Sequence, residues 1–443
     1  MDRRRPRRAG PAALRRRPGG HPAQDGGRGV NTEENLLARV ALTWLAEPGT
    51  WSVHRLVDEL GPAGALDLLL DGGAPEEWLR AAVAARSREG DARAVAADAL
   101  ARTQRLGARI VTPDDEEEWP ARVEDLRRMV LPGANRRVDR ETAPPLCLWT
   151  RGAWPLREAL DRSVAVVGAR AATGYGLHVA TELGYGLADR DWTVVSGGAF
   201  GIDAAAHRGA LNAGGLTVAV LACGIDQPYP MGNAALFDRI AETGLLVSEW
   251  MPGAEPFRPR FLIRNRVIAA ATLGTVLVEA AARSGATQTF NRALAVGRRP
   301  MVVPGPVTSA MSVGAHELLR EQPSARLVTG VPHVLEEVGR IGADLAPPAR
   351  APQRPRDLLD DEATLVLESM PRRGAVDVDR LAARAGVDLR TALRKLSLLE
   401  ELGMVRRRDD GYALVARPAG TPPAHAPGTP PARAPGSIAD PPP

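Results

Sequence analysis

The stretch Val164–Asp203, VAVVGARAATGYGLHVATELGYGLADRDWTVVSGGAFGID, decides how the chain folds. Val164-Ala165-Val166-Val167 is a short, largely β-branched apolar run that ends at Gly168, as expected for a strand buried on both faces. Val179, Leu183 and Leu187 then recur at i, i+4 and i+8, which predicts a helix. A second buried run, Thr193-Val194-Val195, closes on Ser196-Gly197-Gly198. The unit is therefore β-α-β. In open parallel sheets ligands bind outside the carboxyl ends of the strands, where glycines let backbone amides approach and helix N-termini favour negative charge. Two glycine loops, 168–176 and 196–203, are expected side by side at that edge.

Working outward, the pattern repeats. TVAVLACGID (217–226), LLVSEW (245–250), TVLVEA (275–280) and PMVVPG (300–305) read as further strands with carboxyl-terminal loops. Strands alternating with helical segments predict an α/β fold, an extended Rossmann-like doubly wound parallel sheet. Ala108–Thr112 and PPLCLWTRG (144–152) are expected to lead into it, so this domain is assigned to 108–343. Before it, residues 31–107 carry a helical period broken at Pro48-Gly49, with helices expected around 52–60, 63–70, 75–88 and 90–105, the rhythm of a small SAM-like module. Residues 344–357 (DLAPPARAPQRPRD) form a Pro/Arg-rich linker. Residues 358–416 then give helices joined at Ala385-Gly386-Val387 and a strand pair turning at Asp409-Asp410-Gly411, the order of a winged helix. The ends, a basic arm at 1–30 and a Pro/Ala/Gly-rich tail at 417–443, are expected to be disordered.

Composition narrows the function classes. With 443 residues, 44% hydrophobic and 25% charged, the chain has an ordinary globular make-up, and its formal charge of +4 is mild. Lys395 is the sole lysine, a bias read as codon composition rather than guanidinium chemistry. Cys147 and Cys223 match no zinc or redox spacing, so a reducing cytoplasmic setting is the expectation. No apolar run approaches the roughly 18 residues of a membrane span, and no membrane association is expected.

Several loops pair glycine with a charged or hydroxyl residue. Arg170 follows Gly168-Ala169, Ser196-Gly197-Gly198 and Gly201 follow the second strand, and Arg264-Asn265-Arg266 opens a helix. Guanidinium forks suit phosphate. The dinucleotide fingerprint G-x-G-x-x-G is broken by arginine at 170, and no G-x-x-x-x-G-K-[ST] loop exists, so neither a nicotinamide or flavin cofactor nor ATP hydrolysis is expected. Asp203, His207, Glu249, Glu279, Ser284 and His316 are the chemically capable side chains, but spacing assembles no nucleophile–base–orienter set. Asp203 and His207, four apart, read as an intrahelical pair bracing the loop, and Ser284-Gly285 as a phosphate-receiving or merely capped helix start.

Taken together, VAVVGARAATGYG, SGGAFGIDAAAHRGAL, GIDQPYPMGNAALF, SEWMPG, FLIRNRVIAAA, VLVEAAARSGATQT and VVPGPVTSAMSVGAHELLR resemble, in order, the DprA/Smf family of DNA-processing proteins. The resemblance is firm over roughly 105–340. It implies single-stranded DNA binding, homodimerisation and delivery of the strand to the RecA recombinase during natural transformation, without catalysis or cofactor. Carried over, the family's motifs fall on Gly168, Ala169 and Arg170; on Ser196, Gly197, Ala199, Gly201 and Asp203, with Gly198 inside the loop; on Arg264, Asn265 and Arg266; and on Glu279, Ser284, Gly285 and Thr289. Departures occur at Gly314-Ala315, at Arg320-Glu321-Gln322-Pro323 and at Phe261-Leu262-Ile263.

Two other classes compete with this reading. The lysine-decarboxylase-like phosphoribohydrolases show P-G-G-x-G-T-x-x-E, of which this chain offers only Leu273-Gly274-Thr275 and Glu279. A winged-helix regulator needs a basic recognition helix, whereas 389–402 mixes Arg390, Arg394 and Lys395 with Glu400 and Glu401.

Overall fold

The structure is a computed structural model that describes residues 32–129, 141–340 and 359–415, together with Asp344 and Arg356. The expected basic arm, the tail and nearly all of the linker lie outside the described residues. Two compact units emerge, 1–346 and 347–443.

In the first unit, nine strands form one sheet: β1 (Arg109–Val111), β2 (Leu148–Gly152), β3 (Ser163–Val167), β4 (Thr193–Ser196), β5 (Thr217–Leu221), β6 (Leu245–Ser248), β7 (Gly274–Leu277), β8 (Arg299–Val302) and β9 (Arg326–Leu327). Their order is β1-β2-β6-β5-β4-β3-β7-β8-β9. From β6 to β9 every pairing is parallel, for instance Ala165↔Val195 and Ala165↔Thr275, while β1 and β2 add an antiparallel edge. The chain winds one way from β3 to β6 and the other way from β7 to β9. The order therefore reverses between β3 and β7, and a topological switch point opens at their carboxyl ends.

Strand alternation sets the layers. On β3, Val164 and Val166 face one side with Val194, Val276 and Met301, while Ala165 and Val167 face the other with Val195, Val220 and Leu277. Helices α6 (Gly174–Ala188) and α7 (Ile202–Asn212) cover the first side, and α9 (Arg258–Ala271) with α10 (Ala286–Ala295) covers the second. The labels α5 (Leu156–Asp161) and α8 (Ala234–Thr243) go to two shorter helices at the sheet's periphery.

The helical region before the sheet comprises α1 (Thr32–Leu45), α2 (Trp51–Leu70), α3 (Glu77–Glu89) and α4 (Ala92–Arg105). The two separate helices expected at 52–60 and 63–70 meet end to end, and Gly61, at φ 74° and followed by Pro62, makes the break. Leu42, Leu45, Leu66 and Leu69 share a core with Trp149, Leu221, Phe237 and Leu246, so these helices pack on the β2–β6–β5 side of the sheet. Among the described residues no helix is long and apolar enough to cross a membrane.

The first unit ends with α11 (Val313–Glu321) and α12 (Val331–Val338), and the second unit follows it in the chain. Its own elements are α13 (Asp361–Glu368), α14 (Val378–Ala385), α15 (Leu389–Glu401), β10 (Val405–Arg408) and β11 (Gly411–Leu414), a winged-helix arrangement. Asp360, Asp377 and Asp388 cap the three helices, and Gly386, at φ 69°, ends α14 in the left-handed region.

Candidate functional site

Loop 168–173 leaves β3 at the switch point. The carbonyl of Ala169 accepts a hydrogen bond from Ile202 N (3.2 Å), which ties this loop to the start of α7. Gly201 makes that approach possible. It sits at φ 78°, and a Cβ there would stand 2.3 Å from Ala169 O and 2.5 Å from Arg170 O. Arg170 is exposed, and its guanidinium carbon lies 5.1 Å from the centre of the Phe261 ring. Phe261 in turn meets Tyr229 at 5.7 Å between ring centres. Tyr229 is 45% exposed and Phe200 49%, so flat apolar faces stand open on the loops after β5 and β4, near a free guanidinium.

The second loop is held from below. Ser196 is fully buried and donates to Val166 O at 2.7 Å, so it joins β4 to β3 rather than facing solvent. Gly197 N donates to Asp203 Oδ2 (3.2 Å), and Asn233 Nδ2 donates to Gly198 O (3.0 Å). Arg264 is only 4% exposed. It donates through Nη1 to Gly197 O (3.0 Å) and Val220 O, and through Nε to Asn265 Oδ1 (3.3 Å). A Cβ on Gly197 would lie 2.4 Å from Arg264 Nη2, and one on Gly198 2.3 Å from Phe237, so both glycines are where backbone must pass close over a side chain. Ala199 is half-buried and its carbonyl accepts from Ala204 N (3.1 Å).

Burial dominates the electrostatics beneath that loop. It pushes the Asp203 carboxyl up, against the opposing effect of Arg264 and of the amides it accepts from, and it lowers the Arg264 guanidinium to about 10. Asp203 and His207 do not form the expected pair. His207 Nδ1 lies 2.7 Å from Thr217 Oγ1, whose own proton goes to Val194 O, so the imidazole donates through Nδ1. Burial drives its pKa down to about 3 and keeps it neutral.

Across the switch point, Glu279 follows β7. Its Oε2 accepts from Thr173 N (2.9 Å) and its Oε1 from Thr173 Oγ1 (2.6 Å). Thr173 is also the N-cap of α6, accepting from Gly176 N (3.2 Å), so the carboxylate occupies the N-terminus of that helix. A Cβ on Gly176 would come within 2.3 Å of Glu279 Oε2. The donors are thus an amide and a hydroxyl of the first loop, and not the arginines of α9.

The remaining carried-over residues lie apart. Arg266 is fully buried and pairs with Glu249 (2.6 Å), and Gly49 is the glycine whose Cβ would meet its Nε at 2.9 Å. It reaches the helical region, not the loops. Ser284 Oγ accepts from Ala286 N (3.2 Å) at the start of α10, next to exposed Gly285, and Thr289 is buried one turn on. No hydrogen bond among the described residues joins these three to the loops after β3 and β4. Reading the sequence passed over Thr173, Tyr229, Asn233 and Phe200. The signal for Thr173, Tyr229 and Phe200 was an aromatic or hydroxyl residue in a loop beyond the carboxyl end of a strand, and for Asn233 an amide beside Gly232.

A doubly wound sheet whose switch-point edge carries glycine loops, an exposed guanidinium and open aromatic rings is a Rossmann-like α/β protein. Residues 110–339 match the family described as DNA recombination-mediator protein A, and the chain belongs to that family. A DNA processing protein DprA from Mycobacterium tuberculosis is 44% identical over 379 residues, covering 86% of this chain and 94% of that one. Protein Smf of Escherichia coli is 34% identical over 257 residues, 57% of this chain and 68% of its own. Among solved structures, DNA processing protein A from Streptococcus pneumoniae aligns with a TM-score of 0.54 at 29% identity, over 69% of this chain and 98% of that one.

Proposed function

We propose that this protein binds single-stranded DNA at the carboxyl edge of its sheet and, as a recombination mediator, delivers the strand to RecA, acting as a homodimer and without catalysis. The observation that carries the DNA reading is the group formed by exposed Arg170, Phe261 and Tyr229, with Phe200 on the neighbouring loop. Unpaired bases stack on aromatic faces with about 1–3 kcal/mol per base, while guanidinium and backbone amides take the phosphates. A duplex offers no free base faces to such rings. The names of the relatives point the same way, as DNA-processing proteins. Delivery to RecA and dimerisation are supported by family membership alone.

Within this reading the carried-over residues have different tasks. Arg170 contacts the strand directly, with Gly168, Gly197, Gly198 and Gly201 keeping the loops low enough for a phosphate to approach backbone amides. Arg264 and Asp203 hold the second loop from beneath, and Glu279 holds the first through Thr173. Asn265, Ser284 and Gly285 border the strand's path on either side of this centre, and Ser196, Ala199, Arg266 and the buried Thr289 fix the frame. The experiment is binding of oligo-dT to the full chain and to Arg170→Ala, Tyr229→Ala and Phe261→Ala, read by fluorescence anisotropy. Each variant is expected to bind several-fold more weakly, with an unchanged melting temperature for the exposed sites Arg170 and Tyr229. Undiminished binding in all three would remove the site.

The rival reading, a phosphoribohydrolase, needs Glu279 near a reacting atom. Both of its oxygens already accept hydrogen bonds from Thr173 at the N-terminus of α6, which supports a structural carboxylate.

A further inference from the structure

The second unit lies beyond the residues that match the family, and its surface is asymmetric. On the helix that a winged helix ordinarily inserts into a groove, α15, two of the three cations are paired with carboxylates. Lys395 is held by Asp360 and by Glu362 (3.1 Å), and Arg394 by Glu362 (3.5 Å). Leu389 and Leu393, one turn apart, are its exposed large apolar side chains, and Arg390 is its one exposed cation outside an ion pair among the described residues, so the helix offers few donors to base edges.

The wing differs. Arg406, Arg407 and Arg408 follow one another on β10, all exposed, and their guanidinium groups enter no ion pair among the described residues. The register Arg406↔Ala413, Arg407↔Tyr412 and Arg408↔Gly411 puts Arg406 and Arg408 on the same face, over two small residues, about 7 Å apart along the strand. Val376 bridges Tyr412 from the other edge of β11, and a Cβ on Gly411 would clash with Val376 O at 2.3 Å, so the two-stranded wing is braced at that edge and requires the glycine. Exposed Arg372 and Arg373 precede Val376 on its far side. The carboxylates facing this group are Asp409 and Asp410 at the hairpin tip and Glu400, whose Oε1 accepts from the Arg407 amide (3.1 Å).

We infer that the wing, through Arg406, Arg407 and Arg408, is a second nucleic-acid site that grips the phosphate backbone of duplex DNA without reading sequence. Two features select the duplex. Tyr412 is the only aromatic residue of 359–415 and is buried, so the described residues of the unit hold no open aromatic ring on which an unpaired base can stack. A row of guanidiniums gains most against the denser charge of two strands, one per 1.7 Å of axis. The chain thereby holds two complementary surfaces: aromatic rings with one arginine for single strands, and arginines without rings for duplex.

The test compares full-length protein with the Arg406→Ala, Arg407→Ala, Arg408→Ala triple variant and with the corresponding triple lysine variant. Each binds a blunt-ended duplex and, separately, oligo-dT across a salt series. The triple alanine variant is expected to lose at least about ten-fold in duplex affinity and to have a salt slope shallower by about two to three, with oligo-dT affinity changed less than about two-fold. The lysine variant keeps most duplex affinity, because phosphate contact needs the charge. Replacing Asp409 and Asp410 by asparagine strengthens duplex binding. Absence of duplex binding by the unaltered protein, an unchanged triple alanine variant, a lysine variant as weak as alanine, or equal losses for both DNAs would each overturn the inference.

Discussion

Glu279 and Thr173 face each other across the switch point of the sheet, joined by two hydrogen bonds of 2.9 and 2.6 Å that use both carboxylate oxygens. The pair links the end of β7 to the N-terminus of α6 and so fixes the loop that carries Arg170. An anion is already present where a dinucleotide fold would seat its pyrophosphate.

Replacing Glu279 by Gln removes the charge and turns one acceptor into a donor aimed at the Thr173 amide or hydroxyl. Hydrogen bonds to a buried charge contribute about 1.5–3 kcal/mol, so Glu279→Gln is expected to lower unfolding stability by that order and to weaken oligo-dT binding. Chemical denaturation with parallel anisotropy measures both. Neither protein is expected to release base from nucleoside monophosphates; release abolished by the substitution, with the fold intact, would establish the hydrolase instead.

Arg170 and Arg264 carry similar motifs but opposite burial, and their substitutions should separate. Arg170→Ala, at an exposed site, leaves stability within about 0.5 kcal/mol and makes the salt slope of DNA binding shallower by about one. Arg264→Ala strips donors from Gly197 O and Val220 O and leaves Asp203 without its neighbouring cation, so it unfolds at clearly lower denaturant. Equal stability of the two variants would show that Arg264 is not a support.

How much of this was legible follows from particular residues. The alternation on β3 and the glycine at each strand end place the sheet and its ligand edge, because buried parallel strands leave little choice of residue. The helix sequence FLIRNRVIAAA promised two arginines at one site, yet residues two apart on a helix point about 200° apart, so Arg264 and Arg266 face different neighbours. Spacing alone did not reveal which side was buried. The Asp203–His207 spacing was misleading for a related reason: i,i+4 neighbours can each find a stronger partner off the helix, Gly197 N and Thr217 Oγ1 here. The Arg170–Phe261–Tyr229 group draws on the loops after β3 and β5 and on the first turn of α9, and the sequence holds no local signal for their meeting.

His207 makes stability depend on acid. Its folded pKa of about 3 lies below the ordinary 6.5, so the unfolded chain binds the proton more tightly. The stabilisation is fully present above about pH 6.5 and is lost as the pH falls towards 3, by about 2 kcal/mol at pH 5 from this group. His207→Asn, which keeps a donor for Thr217, should flatten the stability profile between pH 6.5 and 4. An unchanged profile would assign the acid sensitivity elsewhere.

Deletion of residues 357–443 should leave a cooperatively folding protein that still binds oligo-dT, since the first unit has its own cores on both faces of the sheet. Thermal unfolding of the truncated chain checks this, and an insoluble or non-cooperative product would move the boundary.

The central claim is that the switch-point edge grips a single strand through stacking and phosphate contacts. Affinity of the full chain for oligo-dT and for thymidine monophosphate, each across a salt series, tests it most directly. The account predicts tight oligo-dT binding with a steep salt slope that Arg170→Ala makes shallower by about one, and only weak binding of the mononucleotide. Comparable affinity for the two ligands, with little dependence on salt, would contradict it.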